Sequence, residues 1–200
     1  MGAEVARKLH FALAAVLAAA GLLTAGVFAA NTGASASASK KLAAIASGSA
    51  AHSSRIHFSK DEVNAWMRDE AKAIAPRSVT GLRLDLANGR ATGYARVDFV
   101  ALRRELTGEQ SGWIARNLFS GERDVTVTAR FESRNGQARV DVERVDVSGM
   151  TVQGRMLDFL IEDYLRPAFP DARINEWFGL RYGIDRFTVA PTGLTVIIGH

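Results

Sequence analysis

The chain has 200 residues and no cysteine, which allows one domain with appendages and excludes disulfides, thiolate metal sites and a cysteine nucleophile. Its formal charge of +4 arises within residues 1–55; residues 56–200 carry 20 basic against 20 acidic side chains. That balance lacks the basic excess phosphate neutralisation needs, so no nucleic acid is expected as a partner.

Residues 1–30 open with Arg7 and Lys8, followed by an uncharged run from Phe11 to Ala30. A basic start before about 20 apolar residues predicts a signal peptide or an uncleaved membrane anchor. Either places the following domain outside the cytoplasm, in the periplasm or cell envelope, secreted or tethered by residues 1–30. Residues 31–55 are dominated by Ser, Ala and Gly and predict a flexible linker. The domain is then expected over residues 56–200.

That domain begins with a capping box. Ser59 stands at the N-cap and Glu62 at N3, with Phe58 and Val63 placed for a hydrophobic staple. Val63, Trp66, Met67 and Ile74 continue at helical spacing, and Pro76 ends the helix near Ala75. Trp66 and Met67 suit either core packing or a ligand wall.

Two hairpins follow. Around Asn88-Gly89, a two-residue turn pairs Leu86 with Ala91, Leu84 with Gly93 and Leu82 with Ala95. The inner face continues to Val97 and Phe99. Large residues opposite small ones leave concave room above the sheet, for a helix or for a ligand. Residues 101–120 are less regular, with Trp113, Ile114, Leu118 and Phe119 suiting a short amphipathic helix. The second hairpin turns at Asn135-Gly136. Val140 and Val142 alternate on even numbers but Val145 and Val147 on odd ones, so a β-bulge is expected near Glu143-Arg144.

The stretch Gly154–Pro170 is expected to form one long helix. Arg155, Asp158, Glu162 and Arg166 make a narrow polar stripe, while Met156, Leu157, Phe159, Leu160, Ile161, Tyr164 and Leu165 are apolar. A helix so widely apolar needs cover from more than one side. A curved antiparallel sheet cradling it would supply that cover; an ordinary core helix would fit too. A last hairpin, turning at Pro191-Thr-Gly193, follows Trp177 and Phe178.

Little in the chain suggests catalysis. His10, His52, His57 and His200 follow no metal-binding spacing, and phosphate-loop and nucleophile-elbow patterns are absent. The acid pairs Asp61/Glu62, Asp69/Glu70 and Glu162/Asp163 are sequence neighbours on helices, so their side chains diverge by about 100°. A non-enzymatic protein without metal or cofactor is expected.

The phrase Phe58-Ser-Lys-Asp-Glu-Val-Asn-Ala-Trp-Met67 resembles the opening helix of bacterial TULIP-like (tubular lipid-binding) half-barrel proteins. The Gly-Met-Thr-Val-Gln-Gly154 approach to an apolar helix and Tyr182-Gly-Ile-Asp-Arg-Phe187 before a last strand are similar as well. The resemblance spans about residues 56–199. It implies an α+β fold, a curved antiparallel sheet built from hairpins around one long apolar helix, and non-catalytic binding of a lipid or similar apolar molecule. No catalytic residue carries over. The expected ligand-lining residues are Trp66, Met67, Leu82, Leu84, Leu86, Val97, Phe99, Met156, Leu157, Leu160, Ile161, Tyr164, Trp177 and Phe178. The alternative is an envelope protein–protein interaction module with a filled core.

Overall fold

The computed structural model describes residues 33–75, 77–110, 120–168 and 173–199. Their architecture is α+β, with antiparallel sheets of six and three strands and four helices. The apolar leader, the expected short helix around Trp113–Phe119 and residues 169–172 lie outside the described residues. Among those described, no helix is long and apolar enough to cross a membrane.

All three expected hairpins are present. Strands β2 (Val79–Ala87) and β3 (Arg90–Val97) form the first, and β4 (Arg123–Arg134) and β5 (Gln137–Val147) the second. They join through β3 and β4 into one meander. Two short strands, β6 (Met150–Thr151) and β7 (Trp177–Gly179), complete this sheet against β5. The third hairpin, β8 (Ile184–Ala190) and β9 (Gly193–Ile198), builds a separate sheet with β1 (Arg55–Ser59), a strand the sequence reading did not foresee. The turns of the large sheet seal the edge of β8. Gly89 N–H donates to the Val189 carbonyl at 3.0 Å and Gly136 N–H to that of Asp185 at 2.7 Å. Ser133 Oγ donates to Phe187 O at 2.6 Å and accepts from Phe187 N–H at 2.8 Å.

Two bulges interrupt the large sheet. Leu86 faces Ala91 and Leu84 faces Gly93, as the turn predicts, but the expected pairing of Leu82 with Ala95 is displaced by a register shift between Thr80 and Arg83. Gly81 takes φ 65° there, a conformation open to glycine at little cost. In the second hairpin Thr128 faces Arg144 while Ala129 faces Val142. Glu143 is therefore the extra residue, and the expected bulge brings Val140, Val145 and Val147 to one buried face.

Three further expectations are corrected. The linker expected over residues 31–55 contains helix α1 (Gly33–Ala46). Its composition is poor in large apolar residues, but Ala38, Leu42 and Ile45 recur on one stripe and all are buried in the main core. Helix α1 lies on α2 (Lys60–Ile74). Phe99, expected at the end of β3, instead begins helix α3 (Phe99–Thr107), because Asp98 caps it by accepting from the N–H groups of Val100 and Ala101.

The third correction concerns the long helix. It is α-helical over Arg155–Leu160, widens into a π-helical segment at Ile161–Leu165, and closes with a short α-helical turn at Arg166–Ala168. Pro167 accounts for the break: its ring crowds the carbonyl four residues back, and it has no N–H to offer there. This central helix, Arg155–Ala168, is half-buried, not enclosed. None of Arg155–Leu160 is buried, and within the π segment only Tyr164 is.

The apolar interior is divided accordingly. The larger core gathers α1, α2, the small sheet and the turn end of the large one. A smaller cluster, built on Val97, Phe99, Val145, Val147, Val152 and Tyr164, lies where α3 and the central helix meet the other end of the large sheet.

Candidate functional site

Beside the smaller cluster is a cavity of about 160 Å³. Gly93, Ala95 and Val97 of β3 face it with Val125 and Val127 of β4 and Val142 and Val145 of β5. Small residues on β3 lie opposite larger ones on its neighbours: Gly93 faces Val127, and Ala95 faces Val125. The helices add Leu102 and Leu106 from α3 and Leu157, Leu160, Ile161 and Leu165 from the central helix, with Val79 and Leu82 of β2 beside them. Among the described residues, no charged side chain lines it. The space is partly open to the surface; an enclosed apolar cavity of about 150 Å³ admits a guest the size of benzene.

Tyr164 is the one side chain of Arg155–Leu165 that is buried. It is 7% exposed and meets Phe99 edge to face at 5.1 Å and Phe159 at 5.9 Å. Helix α3 is fastened to the start of β2. Asp98 N–H donates to the Ser78 carbonyl at 2.9 Å, and Ser78 Oγ donates to Glu105 at 2.6 Å. Between the two helices, Arg103 forms an ion pair with Asp163 Oδ1 at 3.0 Å and donates to the Asp163 carbonyl at 3.2 Å and to Glu109 at 3.1 Å. The hydrogen bond to Glu109 holds the Arg103 guanidinium above its ordinary pKa; burial opposes this, and the attraction of Asp163 supports it.

Of the expected ligand-lining residues, Leu82, Val97, Phe99, Leu157, Leu160, Ile161 and Tyr164 are at the cavity. The others lie elsewhere. Trp66, Met67, Leu84 and Leu86 belong to the larger core, and Met156 packs against the smaller cluster. Phe178 packs on the larger core and Trp177 lies under the Arg134 guanidinium at 4.7 Å, so neither forms the cavity rim. Strand β7 pairs with the turn end of β5, which carries them away from the cavity. The sequence reading missed Leu102 and Leu106, although the cap at Asp98 and Gly108 at φ 73° frame α3 clearly.

The acid pairs take unrelated partners. Glu62 accepts from Lys41 and Ser37 of α1 and from the Ser59 N–H. Burial raises its pKa, but these hydrogen bonds and the Lys41 charge outweigh that and lower it to about 2. Glu70 is pushed up to about 7, by burial first and the neighbouring Asp69 charge second. Glu162 pairs with Arg166 at 3.1 Å, and Asp163 with Arg103. No cluster of His, Asp and Glu suited to a metal occurs among the described residues.

No protein-family model, curated protein or solved structure matches the chain.

Proposed function

We propose that this protein binds an apolar molecule, a lipid chain or one of similar shape, without transforming it. The carrying observation is a cavity of about 160 Å³ walled by apolar side chains, since such a space gains most from a hydrocarbon guest. On this reading the two bulges curve the large sheet about the cavity, and only part of a lipid, such as a stretch of one chain, is enclosed. The resemblance to TULIP-like proteins supports the same class of ligand. The basic-then-apolar residues 1–30 support an extracytoplasmic setting in the cell envelope, tethered if that segment is retained.

Ala95→Leu tests the reading, because it places three more carbons into the cavity. Native mass spectrometry of the protein purified from membranes should show a bound lipid that this variant loses while remaining folded. The rival reading, an envelope interaction module with a filled core, predicts no bound lipid in the parent. Under it, Ala95→Leu would leave any protein partner bound.

A further inference from the structure

Two helices and one sheet share the walls of the cavity, and they are held very differently. Strands β2 to β5 are hydrogen-bonded into a continuous meander. Helix α3 is capped at Asp98 and tied to β2 through Ser78. The central helix has no side-chain cap at its start, where Gly154 stands at φ 55°, and none of Arg155–Leu160 is buried. Its regular hydrogen bonding changes at Ile161. Among helices and strands, its closest neighbour is α3.

One charged side chain spans this seam. The Arg103 guanidinium reaches both the carboxylate and the carbonyl of Asp163, at 3.0 and 3.2 Å. The second contact follows from Pro167, which has no N–H to give the carbonyl of Asp163. Leu102 and Leu106 on one side of the seam, and Ile161 and Leu165 on the other, line the cavity. Both ends of the ion pair keep some water access, with side chains 20% and 35% exposed. A pair with this much water access is weakened by salt and readily released.

We propose that Arg103 is a latch on the cavity: while it holds Asp163 the central helix lies against α3, and when it lets go the helix swings about Gly154 and opens the apolar space. Such a latch acts on passage, not on affinity. It raises the barrier for ligand entering and leaving equally, because the same pair holds the central helix in the occupied and in the empty form. Arg103 touches no ligand; it positions the wall. The proposal rests on the ligand-binding reading for what passes through, but the opening itself belongs to the protein alone.

The test uses the full-length chain and Arg103→Met, which keeps the aliphatic stem and removes the charge. Stopped-flow fluorescence with cis-parinaric acid measures association and dissociation rates, and hydrogen exchange measures opening without any ligand. Loss of the latch should raise both rates roughly two- to fivefold, as expected for one partly exposed ion pair, leaving Kd within about twofold. Amides of residues 157–165 should exchange faster by a similar factor, with β3 and β4 unchanged. Raised salt should speed the parent and not the variant. Arg144→Met, which breaks an ion pair with Asp146 on β5, should alter neither measurement.

If the parent does not bind cis-parinaric acid, the ligand-binding reading fails for this probe, and hydrogen exchange decides the latch by itself. Unchanged exchange over residues 157–165 overturns the proposal, as does exchange accelerated throughout the chain, which would make Arg103 a general structural residue. A change in Kd carried by dissociation alone also overturns it.

Discussion

Asn64 shows how one side chain can stand in for a strand. It is 6% exposed, and its Oδ1 accepts from Leu84 N–H at 2.7 Å while Nδ2 donates to the carbonyls of Leu84 and Lys60, each at 3.0 Å. Strand β2 is the edge of the large sheet, so these Leu84 groups have no neighbouring strand to meet. The carboxamide has the same donor and acceptor as a peptide and pairs with both. Asn64→Ala would leave the Leu84 N–H and C=O buried beneath α2 without partners. Urea unfolding should show a loss of about 2–6 kcal/mol, from roughly 1–3 kcal/mol for each unsatisfied group. Asn64→Asp keeps the acceptor but buries a carboxylate against a carbonyl, so its stability should recover on acidification as the carboxyl gains a proton to donate. In the sequence, Asn64 looked like part of a family resemblance; only the structure gives it this physical task.

The same contrast separates the segments that were legible from those that were not. The capping box of α2 is present, with Glu62 N–H bonded to Ser59 Oγ at 3.1 Å and Ser59 N–H to the Glu62 carboxylate at 2.7 Å. Hairpin turns and the bulge at Glu143 were equally plain, because each is dictated by a few adjacent residues. Helix α1 was not, because its reason for existing lies outside it: the groove on α2 that receives Leu42 and Ile45, and the Glu62 carboxylate that receives Lys41 and Ser37. The break in the central helix was visible at Pro167 and outweighed by the apolar run around it. A chain starting at Arg55 should consequently unfold less cooperatively than one starting at Gly33. Within the full chain, Ile45→Ala, at 1% exposure, should cost about 2–4 kcal/mol. The docking also carries a pH signature. Glu62 titrates at about 2 when folded against 4.5 as a free side chain. Its contribution is therefore complete above about pH 4.5, declines as the pH falls, and is gone below about 2. Lys41→Met should flatten that slope in thermal melts recorded between those values.

At the scale of the whole molecule, the edges of β2, β8 and β5 are met by short-range substitutes for strands. Asn64 covers β2, the hairpin turns cover β8, and Asn175 covers β5, donating to the Val140 carbonyl at 2.8 Å and accepting from Val142 N–H at 3.2 Å. With its edges occupied, the large sheet presents its inner face to two different partners, and this division was not legible in the chain. Alternation identified Leu82, Leu84, Leu86 and Val97 as inner-face residues. Which of two interiors each one enters depends on where the third hairpin and α1 pack, and no local pattern encodes that. Leu84 and Leu157 report the difference. Leu84 is 1% exposed in the larger core, where close-packed neighbours cannot follow a shrinking side chain, so Leu84→Ala should cost about 3–5 kcal/mol in urea unfolding. Leu157 is half-buried at the edge of existing space. Truncating it enlarges a cavity already present and loses little more than transfer energy, about 1–2 kcal/mol. The two variants should keep the parent's dependence on urea concentration, since neither alters the surface exposed on unfolding. Equal losses at the two positions would mean that the space beside Leu157 is filled in solution, and the ligand reading would lose its physical basis.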